Sequence, residues 1–335
     1  MAWEYAGLFD AIPTEGDLLS TFWQTSATDI KVGSMGYRTA TVKAGGRLEA
    51  EIYPIYGRRM EAAARKAKQK GNTPEAQKKL NAENAKRKLI LILEENFKYF
   101  EDDTLTLTYQ NEPADLRRCQ MDIRNFFLRV KRWRKRNGLP ELKYVAAIGH
   151  DADQRLHVHV AMNGGIPQKE IIKLWGKGIT NSSPFQTYGK GLEGYANYLF
   201  KQNELAKKRG EREYIHMWTA SRNLKNPLDH EHKSDCKISN RRVKQIARTF
   251  GADAKSIMEK IYPGYVLQEQ VVPRFSDSID GVYIRVIMRK AEGYNEKRAK
   301  NQKGQAHNSQ VYEAAKKRAK GNMPQSNGLQ SGWPS

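Results

Sequence analysis

The sequence predicts an α+β protein centred on an antiparallel sheet in β-α-β-β-α-β order, the split βαβ arrangement. Three observations predict it. "DTLTLTY" (103–109), "KYVAAIGH" (143–150) and "RLHVHVAMN" (155–163) show the alternation or the short apolar run of strands. "PADLRRCQMDIRNFFLRVKRWRKRNG" (113–138) lies between the first two and repeats its apolar residues at three and four. "PQKEIIKLWGKG" (167–178) and "SPFQTY" (183–188) then supply the second helix and the fourth strand. Helices are expected on one face of this sheet, leaving the other face uncovered.

The elements follow in order. Residues 1–98 form a first region, with strand-like alternation in "YRTATVKAGG" and "RLEAEIYPIY". A basic helical pair over 58–98 comes next, broken at "GNTPE", where Thr73 can cap a helix whose first residue is Pro74. The second region, 99–212, holds the sheet. Its first helix buries Ile123, Phe126, Phe127, Val130 and Trp133, and Gly138 and Pro140 end it. "DADQ" joins 143–150 to 155–163 as a short hairpin, and "LEGYANYLFKQNELAKKRG" (192–210) closes the region as a helix. In the third region, 213–291, "YIHMWTASRNLKNP" reads as a strand and turn. "SNRRVKQIARTFGADAKSIMEKIYPG" (239–264) reads as two helices about Gly251, a candidate DNA-binding helix-turn-helix. "DGVYIRVIM" (280–288) is a strand, and 292–335 is expected to be a polar, flexible tail.

Charge narrows the function. Lys and Arg number 58 against 37 Asp and Glu, a net +21, and such an excess calls for a polyanion, most commonly nucleic acid. The excess is clustered in "RKAKQKG" (65–71), "KKLNAENAKRK" (78–88), "RVKRWRKRNG" (129–138), "KKRGER" (207–212) and "RRVKQIAR" (241–248). Arg129, Lys131, Arg132 and Arg134, Arg155 on the histidine strand, and Arg241 and Arg242 are therefore candidate DNA contacts. Hydrophobic residues make up 39%, enough for a core, yet no apolar run approaches the roughly 20 residues of a membrane span. Cys119 and Cys236 lie far apart without CxxC spacing, which argues against a disulfide framework or a zinc finger. No secretory signal is read at the N-terminus, and a reducing cytoplasm is expected.

The chemistry gathers at "LHVHV". Side chains alternate along a strand, so His157 and His159 share one face and can hold a divalent metal. A third ligand depends on the hairpin. With a two-residue turn at Ala152-Asp153, His150 pairs with Arg155 and joins the histidine face, which is the preferred reading; with a three-residue turn, Asp151 takes its place. The following helix carries "GYANYLFKQ". Tyr195 lies near the line of Leu192 and Leu199 and suits packing, while Tyr198 and Lys201 are neighbours on another face. A phenol has a pKa of about 10. It attacks a phosphate only with help from a metal or a nearby ammonium.

The ordered trio "TLTLTY", "RLHVHVAMN" and "YANYLFK" resembles the three motifs of the HUH endonucleases, named for two histidines flanking a hydrophobic residue. More closely, the chain resembles rolling-circle replication initiators of plasmids and single-stranded DNA phages, including the filamentous-phage gene II type. The motifs cover about 100–205; "EIYPIYGRR", "NAENAKRKLILILEENF" and "WTASRNLKNP" are similar to the family less specifically. The resemblance implies an RRM- or ferredoxin-like sheet of HUH type with basic helical extensions, and a metal-dependent nickase acting on single-stranded origin DNA. In that reading His157 and His159 hold Mg²⁺ or Mn²⁺, and Tyr198 attacks the scissile phosphate. A 5′-phosphotyrosine and a free 3′-hydroxyl result, and reversal rejoins the ends. Lys201 matches the lysine of the third motif. Host replication proteins are implied as partners, and the cytoplasm of a bacterial host as the place of action. Many relatives carry an acidic third ligand where this chain reads Gly149-His150-Asp151. Two-tyrosine relatives usually space them by four, whereas Tyr195 and Tyr198 are three apart, so Tyr195 is only a candidate second nucleophile.

Three other readings are weaker. Histidine-triad hydrolases need a third histidine where Ala161 stands. A non-enzymatic RRM-like binder would display aromatic rings that "LHVHVAMN" lacks. A relaxase or transposase shares the chemistry, but large relaxases often place the tyrosine before the histidines, and small transposases are shorter.

Overall fold

A hairpin opens the fold: β1 (Gly36–Ala44) and β2 (Arg47–Ile55) pair antiparallel about Gly45, where φ is +53° and a Cβ would collide with the Glu94 carbonyl. Then follow α1 (Pro74–Asn96), β3 (Asp103–Thr108), α2 (Leu116–Arg136), β4 (Tyr144–His150) and β5 (Leu156–Met162). Next come α3 (Gln168–Trp175), β6 (Thr180–Pro184), α4 (Glu193–Lys208) and β7 (Thr219–Ala220). A 3₁₀ turn (Pro227–His230), β8 (His232–Ser234), α5 (Asn240–Arg248) and α6 (Ala254–Ile261) lead into the last three strands. These are β9 (Tyr265–Leu267), β10 (Arg274–Phe275) and β11 (Val282–Lys290). This computed structural model describes residues 36–57, 74–150, 156–185, 191–208, 218–275 and 281–291, without the side chains of 75, 76, 150 and 201–208. The chain divides into units over Met1–Lys290 and Ala291–Ser335. The expected tail over 292–335 lies outside the described residues, as do 58–73, the first half of the expected basic helical pair.

The expected α+β sheet is present, in the order β6-β3-β5-β4-β7, with every pairing antiparallel. Leu105, Leu107, Val158 and Val160 on one face meet Phe126, Phe127 and Val130 of α2 and Ile171 and Trp175 of α3. This is the βαβ-βαβ core the periodicity predicts. Its fourth strand lies at Thr180–Pro184, ahead of the expected 183–188, and residues 186–190 are outside the described set.

The other face is not uncovered, as the sequence reading expected. Val145, Ala147 and Ala161 share it with the histidines, and this apolar surface is buried against Leu89, Ile90, Ile92 and Leu93 of α1, Leu192 just before α4, and Ala196 and Leu199 of α4. Exposing those residues to water would cost hydrophobic free energy, so the face recruits helices. Leu91 of α1 turns the opposite way and packs on Val42 and Ala44 of β1. All five residues of "LILIL" are therefore buried, as befits a helix enclosed on all sides.

Behind α1 stands a second sheet, β10-β11-β2-β1-β8 with β9 also on β11. It joins strands from the regions read separately as 1–98 and 213–291, since β2 pairs along β11 from Ile52↔Ile284 to Arg47↔Arg289. Its apolar face, including Leu48, Ala50, Ile52, Ile284 and Val286, carries α5 and α6. Its other face is charged. Glu49, fully buried, receives Arg47 at 2.9 Å, Arg87 at 2.5 Å and Arg285 at 3.2 Å, while Arg87 also reaches Glu51 at 2.6 Å. Burial opposes ionisation of Glu49, but the guanidinium groups of Arg285, Arg87 and Arg47 outweigh it and hold the carboxyl at about 2, against an ordinary 4.5. Among the described residues, no helix is long and apolar enough to cross a membrane.

The folded state binds the charged form of Glu49 more tightly than the unfolded chain does. Its contribution is therefore complete above pH 4.5 and is lost as pH falls towards 2. Glu49→Leu strands three guanidinium groups and should cost about 3–5 kcal/mol by urea denaturation. The variant should also lack this component of the acid-induced loss of stability.

Candidate active site

The histidines reach one another because of strand parity. His157 pairs with Thr108 and Gly149, and His159 with Thr106 and Ala147, so both imidazoles rise from the face covered by α1 and α4. Their centroids are 4.5 Å apart with the rings 79° to one another, and each residue is 2% exposed. Val158 and Val160 fix that orientation by filling the opposite core.

Tyr198 arrives from α4, whose apolar side (Ala196, Leu199), with Leu192 just before it, lies on the same sheet face. Its hydroxyl oxygen is 3.1 Å from Nε2 of His159, and the two ring centroids are 4.7 Å apart at 71°. On the far side of that imidazole, Nδ1 lies 3.3 Å from Oγ1 of Thr106. In the Nδ1–H tautomer the ring donates to Thr106 and presents the Nε2 lone pair to the Tyr198 hydroxyl. Burial, and next the adjacent His157, hold the His159 pKa down to about 3 from 6.5. The ring is thus neutral at physiological pH, the form that binds a metal or accepts a proton. Tyr198 is 42% exposed, so its ring covers His159 on one side and meets solvent on the other.

The other expected residues divide. Tyr195, one helical turn earlier, packs edge-on against Phe185 at 5.4 Å, and its hydroxyl oxygen is shielded from solvent. Burial, and then the neighbouring Tyr198, push its phenol further above the ordinary value. The ring is thus placed for packing, with its hydroxyl turned away from solvent. Lys201 falls on α4, but its side chain lies outside the described residues. The hairpin adopts the register His150↔Leu156, one residue away from the preferred 150–155 pairing, and such a slip exchanges the faces. That register sets position 150 with Leu156 and Val158, on the face away from His157 and His159, so the preferred third ligand is corrected. Asp151 and Arg155 lie outside the described residues.

Of the candidate DNA contacts, Lys131, Arg132, Arg241 and Arg242 are exposed. Lys131 and Arg132 stand on α2, which covers the sheet face opposite the histidines. Arg134 is buried and donates to the carbonyls of Pro140, Asn163 and Gly164 at 2.8–2.9 Å. Arg129 donates to the carbonyls of Leu174 and Trp175 at 2.7 and 3.3 Å. These two arginines satisfy carbonyls at the ends of segments, work that a composition count does not separate from phosphate binding.

Thr106 was missed. The alternating threonines of "DTLTLT" were visible, yet only the pairing of β3 with β5 shows which of them stands beside His159. Two imidazoles and a phenol oxygen form a donor set a divalent cation accepts. Among the described residues, no cluster of three or more His, Cys, Asp or Glu supplies the rest.

Residues 102–204 match the family model of replication-associated protein ORF2/gene II protein. The match spans β3 to α4 and so contains all three motif segments, though less than half of the chain. No curated protein and no solved structure matches the chain. The family match supports a rolling-circle replication initiator.

Because folded His159 resists protonation, its neutral state stabilises the fold fully above pH 6.5. That contribution declines as pH falls from 6.5 towards 3. Thermal melts over this range should show a loss of stability that is smaller in His159→Gln.

Proposed function

We propose that this chain is a replication initiator that nicks single-stranded origin DNA through Tyr198. The observation that carries the reading is the approach of the Tyr198 hydroxyl to His159 Nε2, made between residues on different elements of the segment that matches the replication-associated family. A sheet built only to bind bases has no need to bring a phenol onto buried imidazoles.

In this reading the Tyr198 oxygen attacks the scissile phosphorus. The bond from phosphorus to the 3′ oxygen breaks as the bond to tyrosine forms. The phenol gives up its proton and the departing 3′ oxygen gains one, leaving a 5′-phosphotyrosine and a free 3′-hydroxyl. Return of a 3′-hydroxyl to the phosphotyrosine reseals the strand with no other energy source.

His157 and His159 would hold a divalent cation, Mg²⁺ or Mn²⁺, which when bound draws charge from a phosphate oxygen. Thr106 keeps the His159 Nε2 lone pair turned towards the site. Tyr198 keeps its oxygen over the imidazoles, and α1 with the rest of α4 excludes water from beneath them. Lys201, three residues beyond Tyr198, would place an ammonium beside the developing charge. Exposed basic residues, among them Arg241 and Arg242, would hold phosphates without reading sequence, so affinity should fall steeply with salt.

The experiment incubates the full chain with single-stranded oligonucleotides tiling its replication origin and Mn²⁺, then resolves the products on a denaturing gel. A protein-linked fragment is expected from the wild type. Tyr198→Phe should lose it by at least ~10³-fold, Tyr195→Phe should keep it within a few-fold, and a chelator should abolish it. A Tyr198→Phe protein that still forms the linked fragment contradicts the assignment.

A further inference from the structure

The helix that carries Tyr198 begins where three distant segments converge with opposite charges. Gly191 precedes α4 at φ +70°, and a Cβ there would collide with the Arg289 guanidinium and the Glu94 carboxylate. Glu94, on α1, accepts the Leu192 N–H at 2.8 Å, one of the donors that a helix N-terminus leaves without an internal partner. Its carboxylate also receives Arg289 from β11 at 2.7 and 3.3 Å. Glu193, the first residue of α4, takes Arg47 of β2 at 2.9 Å, and the same Arg47 is held by the buried Glu49. The first turn of α4 is thus fixed by side chains from α1 and from two strands of the second sheet.

We propose that Arg47, Glu94, Glu193 and Arg289 are positioning residues for the nucleophile: a charge clamp that sets α4 at the one place where Tyr198 meets His159. The inference rests on the nicking role of Tyr198 but predicts a geometry that can be read without it.

The reasons are physical. Buried ion pairs add little stability relative to apolar packing, but they demand specific partners and so fix register where oily surfaces would tolerate sliding. Tyr198 follows Glu193 by five residues, about 7.5 Å of helix at 1.5 Å per residue, so a shift of the first turn passes directly to the phenol. A displacement of about 1 Å opens the 3.1 Å contact beyond hydrogen-bonding reach. Apolar contacts of Leu192, Ala196 and Leu199 hold α4 down on the sheet, while the clamp controls its travel along the sheet. A carboxylate in the first turn also complements the positive end of the helix dipole. The second sheet thereby acquires a part in the chemistry although it contributes no group to the site.

The test uses the full chain with ¹⁵N-labelled histidine, metal-free and at one fixed pH, with Tyr198→Phe defining the His159 ring signal when the phenol contact is absent. Glu193→Ala and Arg289→Ala should retain the wild-type circular dichroism yet move the His159 signal most of the way to that of Tyr198→Phe. Arg289→Lys should move it less. With saturating origin oligonucleotide and Mn²⁺, linked-fragment formation should slow at least tenfold in both alanine variants, while the half-saturating DNA concentration stays within twofold. A wild-type His159 signal in Glu193→Ala overturns the clamp, and this partly exposed site decides if Arg289→Ala fails to fold. If the signal moves as expected but wild-type protein forms no linked fragment, the clamp stands and the nicking role of Tyr198 falls.

Discussion

Residues two apart on an extended strand must face the same way, and the site is built on that constraint. Within "LHVHVAM", His157 and His159 turn to one face while Leu156, Val158, Val160 and Met162 fill the core beneath α2 and α3. Shifting β5 by one residue would drive both imidazoles into oil and the valines into the site. The core therefore pins the histidines, and β3, paired on the same register, sets Thr106 behind His159.

The covering of the histidine face then decides what the imidazoles meet. α1 and α4 cover it for ordinary hydrophobic reasons, yet α4 brings a half-exposed phenol with it. The outcome is a neutral, buried His159 under a phenol that stays partly open to solvent. Charge, absent from the apolar face beneath, is concentrated instead between α1 and the second sheet, where Glu49, Glu51 and Glu94 meet four arginines.

Much of this was legible from local pattern. The strand alternation of "TLTLT", the stripe of α2 and the His-x-His parity each depend on a few neighbouring residues, and each reappears in the fold. Distant pairings were hidden. Nothing near Arg47 names Glu193, and nothing near Glu94 names Arg289, because an ion pair across the molecule leaves no period in either segment. The hairpin register failed for a narrower reason: a turn of two or three residues fits "HDADQRL" equally well, and one residue moves His150 to the other face. Arg134 misled because a guanidinium that caps carbonyls and one that grips phosphate are the same residue in a basic run.

In the proposed reaction one phenol oxygen, that of Tyr198, takes the phosphate. Digesting the protein–DNA product and mapping the nucleotide-bearing peptide by mass spectrometry tests it most directly. A phosphate ester on Tyr198 alone is expected; a nucleotide carried by Tyr195, or by any residue outside α4, would contradict the proposed role of Tyr198.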